Sequence, residues 1–116
     1  MALGDGRYLP VCHDDFLVEL KKRNAGIKIM PTLRKASDLQ EKVQRLSPYA
    51  FDVPWSVLTE DLVRQIRESG KKVFTDAPFR RINEQEYHRI IGMGVDLIQT
   101  DHIEALQQAI ESFYVR

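Results

Sequence analysis

The feature that most constrains this chain is a regular alternation of short apolar runs with amphipathic helical stretches. Five runs punctuate it: Tyr8 to Cys12, Ile27 to Met30, Tyr49 to Val53, Lys72 to Thr75, and Val95 to Thr100. Several are continuous rather than alternating, the pattern of strands covered on both faces. The segments between them have helical period and their own start and stop signals. The first spans Asp15 to Asn24, with Asp14 or Asp15 as its cap, a Phe16, Leu17 and Leu20 stripe, and Gly26 as its stop. The second starts at Ser37, with Gln40 placed for a capping box, and carries Leu39, Val43 and Leu46 on one face. Thr59 caps the third, which turns Leu62, Val63 and Ile66 inward and ends at Gly70. Asn83 starts the fourth, whose stripe is Tyr87, Ile90 and Ile91. The fifth starts at Asp101 as N-cap, with Leu106, Ile110 and Phe113 as its buried side.

Strand followed by helix, five times over, implies an α/β fold with parallel strands and right-handed helical crossovers. Two architectures accept this order: a small doubly wound sheet, or a stretch of a TIM-type (β/α) barrel. No Gly-rich dinucleotide fingerprint follows any strand, so a Rossmann cofactor has no support. With 116 residues, positions 1–116 read as a single domain. The formal net charge is zero, which argues against a broad field for nucleic acid or anionic lipid. The basic pairs Lys71-Lys72 and Arg80-Arg81 read as solvated faces. One cysteine, Cys12, excludes an internal disulfide framework, and its apolar neighbours suggest a buried thiol. No stretch approaches the length of a membrane span. Residues 1–6 have neither a basic n-region nor an apolar h-region, so no signal peptide is expected and a cytoplasmic location follows by default.

The last third favours the barrel. Gly70-Lys71-Lys72-Val73-Phe74-Thr75, then a helix, then Gly94-Val95-Asp96-Leu97-Ile98-Gln99-Thr100-Asp101, resembles the ending of the glycerophosphodiester phosphodiesterase family. Leu58-Thr59 and Ile27 to Pro31 are similar to segments further upstream in that family. The resemblance covers nearly the whole chain but only the later strands of the barrel. It implies a partial barrel of about five strand-helix units. It also implies hydrolysis of a glycerophosphodiester to glycerol 3-phosphate and an alcohol. Family members use a divalent cation, Mg or Ca, with histidines as acid and base. Their His-Arg-Gly, Glu-x-Asp and Glu-x-Lys motifs are absent here. The chain is therefore expected to be truncated or degenerate, with weak or no activity alone and with no cation of its own as one outcome.

Sites in such barrels lie at the C-terminal ends of strands. His13-Asp14-Asp15 resembles the family's His-Asp-Asp loop in letters, which would make His13 a general acid or base and Asp14 a metal ligand. Too few residues separate Asp15 from Ile27 for what the family places after that loop, so the same residues also read as a strand end and helix cap. Phe74 stands where the family has an aromatic facing substrate, and it equally suits a core. Trp55, Thr75 and Thr100 are the other candidates for substrate contact. Asp101 is a candidate metal ligand beside its capping role. His13, Asp76 and His102 have acceptable ligand chemistry with Asp101 but no diagnostic spacing.

A complete barrel runs to about 250 residues. A five-unit piece leaves two strand edges and a concave apolar face exposed. The expected partners are a second copy or a missing barrel half, with a small glycerophosphodiester as ligand. The rival reading is a non-enzymatic partial-barrel module that self-assembles or binds a partner or small phosphorylated ligand. A late-barrel fragment of another phosphate-handling enzyme is the third.

Overall fold

The structure is a computed structural model that describes residues 13–115. Its elements run α1 (His13–Arg23), α2 (Leu39–Leu46), β1 (Ala50–Asp52), α3 (Glu60–Glu68), β2 (Lys72–Asp76), α4 (Glu84–Gly92), β3 (Leu97–Gln99) and α5 (Ile103–Tyr114), with short 3-10 turns before α2 and after β1. The sheet has the order β1-β2-β3. Both pairings are parallel, with Asp52 beside Phe74 and Phe74 beside Leu97. This is the α/β arrangement of a partial barrel, strands in chain order with helices between them. The expected strand at Tyr8 to Cys12, and Cys12 with it, lies outside the described residues.

The expected strand at Ile27 to Met30 is instead an extended segment without a ladder. It runs beside β1, where Tyr49 donates to the Ile29 carbonyl and Asp52 to that of Pro31, and its one bridge joins Thr32 to Asp52. Leu33 in turn donates to the Asp52 carbonyl at 2.9 Å, while Pro31 has no N–H with which to extend the ladder.

The strand alternation sorts side chains between two faces. Phe51, Val53 and Val73 are fully enclosed with Val63, Ile66, Tyr87 and Ile90 from α3 and α4. Asp52, Phe74, Asp76, Leu97 and Gln99 share the other face, and none of them is buried. That uncovered face is mixed in polarity, not the apolar one expected. In a closed barrel it faces the interior.

Local chemistry fixes the helix starts. Thr59 accepts from the Leu62 N–H at 3.1 Å, and Asn83 accepts from that of Glu86 at 2.8 Å. Ser37 does not cap α2. It lies within the 3-10 turn Ala36–Asp38, and Asp38 occupies the cap position without a side-chain bond. Asp101 does not cap α5 either. The helix begins one residue later than expected, with His102 at the cap position, and Thr100 Oγ1 receives the His102 N–H at 3.1 Å. Gly70 and Gly94 turn the chain into β2 and β3 at φ 79° and 93°, where a Cβ is strained. Arg67 then holds the second turn, bonding the Gly94 carbonyl at 2.9 Å and Asp96 at 2.7 Å. Asp96 also accepts the Val73 N–H at 2.9 Å, which ties the entry of β3 to β2.

α5 departs from its expected burial. Ala109 is its one buried residue among those described, and Ile110 is 39% exposed. The helix meets α4 through Ala109, Ser112 and Phe113, where His88 Nε2 lies 2.9 Å from the Ala109 carbonyl and 2.8 Å from Ser112 Oγ. The Leu106 and Ile110 flank therefore lies along the outer side of β3, where no strand among the described residues covers it.

Candidate functional site at the strand ends

The C-terminal ends of β1, β2 and β3 bring Asp52, Asp76, Gln99 and Thr100 to one rim of the sheet. Asp52 lies at the end of the short apolar strand β1. Burial pushes its carboxyl above the usual range, Asp76 adds to the rise, and Arg34 opposes it. Phe74 stands beside Asp52 on the uncovered face and is partly buried.

Trp55 lies just past β1. Its indole N–H donates to Glu86 Oε2 at 2.8 Å, and its ring meets Tyr87 edge to face at 6.1 Å. Arg80 grips the same carboxylate with two nitrogens, at 3.1 and 2.8 Å. The Arg80 hydrogen bonds, with that of Trp55, hold the Glu86 carboxyl below its ordinary range. Tyr87 in turn reaches Thr100 at 3.1 Å, and His102 Nε2 lies 3.3 Å from the Phe79 carbonyl. One network thus joins the end of β1, the loop after β2 and the end of β3. It fixes the loop carrying Phe79, whose side chain is 90% exposed.

The sequence candidates are not gathered into one site. Asp14 is 8% exposed and forms an ion pair with Lys42 of α2 at 2.6 Å. His13 is the first residue of α1, and its side chain lies outside what is described. Thr75 is 1% exposed, and its hydroxyl donates to the Val53 carbonyl at 2.7 Å. Trp55 is buried, Thr100 bonds to Tyr87 and His102, and Asp101 is exposed at the rim. Phe74 remains on the uncovered face. Among the described residues no three His, Cys, Asp or Glu side chains gather as a metal site. The divalent cation implied by the resemblance therefore does not fit the described residues alone. Sequence reading passed over Asp52, although an acid closing an apolar run is itself a signal. It gave Glu86 no place in a site.

No protein-family model matches the sequence, and no curated protein matches it. Solved structures do match the fold. A crystal structure assigned as a glycerophosphodiester phosphodiesterase from Galdieria sulphuraria superposes with a TM-score of 0.76 at 18% identity, over 85% of this chain and 41% of that one. One assigned as a glycerophosphoryl diester phosphodiesterase from Silicibacter pomeroyi gives 0.69 at 19%, over 88% and 37%. An Oleispira antarctica phosphodiesterase in complex with its product sn-glycerol-3-phosphate gives 0.67 at 24%, over 82% and 38%. The fold is therefore the one these phosphodiesterase structures share, present in part. The chain spans about two fifths of the length of each. Among the described residues, no helix is long and apolar enough to cross a membrane.

Proposed function

We propose that the chain is part of a phosphodiesterase barrel of the glycerophosphodiester type, with little or no turnover alone. The observation that carries this reading is the agreement of two independent lines. The Gly94 to Asp101 ending resembles that family in sequence, and three structures with such assignments share the fold. On this reading the uncovered sheet face is one wall of the substrate site. Phe74 contacts the glycerol or alcohol part, with Asp52 and Asp76 beside it. Trp55 and Thr100 support that wall through Glu86 and Tyr87 rather than touching the reacting atoms. Hydrolysis to glycerol 3-phosphate and an alcohol, and the Mg or Ca ion that assists it, then require ligands from outside the described residues. His13 is the one acid-base candidate at hand.

The test has two arms. Purified chain is incubated with glycerophosphocholine, with magnesium or calcium and with a chelator control. No turnover above the blank is expected, and metal-dependent release lost on His13→Ala would replace the inactive reading. In the second arm sn-glycerol 3-phosphate is titrated against amide NMR signals. Shifts confined to Asp52, Phe74, Asp76 and their neighbours support the site, and a featureless titration rejects it.

The second reading is a non-enzymatic module that self-assembles or binds a partner, including a missing barrel half. It is favoured by β3, beside which no strand lies on the side away from β2 among the described residues. Location in the cytoplasm accompanies both readings.

A further inference from the structure

The apolar interior is in two parts. The main core holds Phe51, Val63, Val73 and Tyr87 together with Leu39 at the start of α2. A smaller core joins Leu17 of α1, Ile29 of the extended segment and Leu46 at the far end of α2, at 5, 4 and 2% exposure. α2 thus serves both cores, and α1 belongs to the smaller one. Three buried side chains are few to hold down a helix of 11 residues. Charge supplies further contact. Asp14 pairs with Lys42 at 2.6 Å, their side chains 12% and 15% exposed, and Asp15 pairs with Arg45. Lys42 and Arg45 stand three apart on α2 and so share one face. The two pairs span 28 and 30 positions, so they exist only while α1 lies on α2. Past α1 the chain turns through the exposed residues 24–26. That turn is closed on itself, with Gly26 donating to Asn24 Oδ1 and Ile27 to the Asn24 carbonyl, both at 3.1 Å.

We infer that α1 is a strap, docked on α2 by these two ion pairs and the small core, which opens as a unit about residues 24–26 while the main core stays folded. Few buried apolar contacts mark a segment that opens well below the cost of global unfolding. The exposed Asp15–Arg45 pair is screened by salt, and the inner Asp14–Lys42 pair leaves a buried charge when either partner is removed. Ionic strength therefore sets how often the strap is down. His13 is the first residue of α1. On the reading of His13 as the acid–base candidate, a site that uses it is complete only in the docked state.

Native-state hydrogen exchange of the intact chain, followed by NMR without ligand, tests this. The amides of residues 17–20 should exchange as one group, at least tenfold faster than the Val53 amide, which β2 holds through the Phe74 carbonyl. Lys42→Gln should speed the α1 group at least fivefold and leave Val53 within twofold. Glu19→Gln, which breaks the exposed pair within α1, should leave both within twofold. Raising sodium chloride on the unaltered chain should speed the α1 group relative to Val53, and Lys42→Gln should weaken that dependence. Exchange of α1 and Val53 at one common rate, or a response to Lys42→Gln that is smaller or equally shared, overturns the inference. Turnover plays no part in the readout, so this failure leaves the phosphodiesterase reading standing, and a featureless glycerol 3-phosphate titration leaves the strap standing.

Discussion

On the helix side of the sheet, Phe51, Val53, Val73 and Thr75 are sealed beneath α3 and α4, at 0 to 1% exposure. One residue away on the same strands, Asp52, Phe74 and Asp76 look outward, with Leu97 half exposed beside them. The backbone ladder is common to both faces, so the difference lies in what covers each. Over β1 and β2 the helix side is covered by this chain's own helices. Its buried side-chain polar atoms are all partnered among the described residues. The other side is polar at the strand ends and apolar towards the β3 edge, which suits a surface for ligand and partner.

The sharpest way to break this comparison is to truncate one residue on each side. Phe51→Ala should lose about 3–5 kcal/mol in urea unfolding through the cavity it leaves. Leu97→Ala should change monomer stability by less than about 0.5 kcal/mol. Comparable losses would mean that the β3 side is as enclosed as the core. Thr59→Ala tests the covered side more gently. It leaves the Leu62 N–H without its cap and should cost about 1 kcal/mol by the same measurement.

Glu86→Gln should act more weakly, as a drop of a few degrees in the thermal midpoint near neutral pH. The folded carboxyl is held low by Arg80 and Trp55. Its contribution is therefore present above the unfolded glutamate pKa of about 4.3 and is lost as pH falls through the lower folded value. Midpoints of the native chain and the variant should converge on acidification. Asp52→Asn should give the smallest effect, with the opposite sign. Burial and Asp76 raise the folded carboxyl, so its favourable contribution exists below the unfolded aspartate pKa of about 3.9 and is lost as pH rises through the folded value. The variant should melt about 2 °C higher at neutral pH, with the gain vanishing in acid. A loss instead would place Asp52 in a stabilising pair with Arg34.

Local features were legible in the sequence. The Thr59 and Asn83 caps, strands β2 and β3, and the glycine turns each depend on residues a few positions apart. Features set by distant neighbours were not. Trp55 and Glu86 meet across 31 positions, and neither residue signals the other. Asp14 has the letters of a metal ligand, but Lys42 lies 28 positions away in α2 and claims it. The stripe of α5 was read correctly as apolar, yet Ile110 stays exposed, with no strand beyond β3 among the described residues to cover it. Ser37 failed as a cap because a 3-10 turn ahead of α2 moved the helix start to Leu39.

Trp55 is the only tryptophan in the chain. Its indole lies between Tyr87 and the Glu86 carboxylate. The protein thus carries a single indole, which can be excited apart from its four tyrosines, at the joint between β1, the loop after β2 and α4. Its emission reports on that joint alone, separately from events at the β3 edge. A ligand that settles on the strand ends can therefore be followed by a change in the colour of that emission.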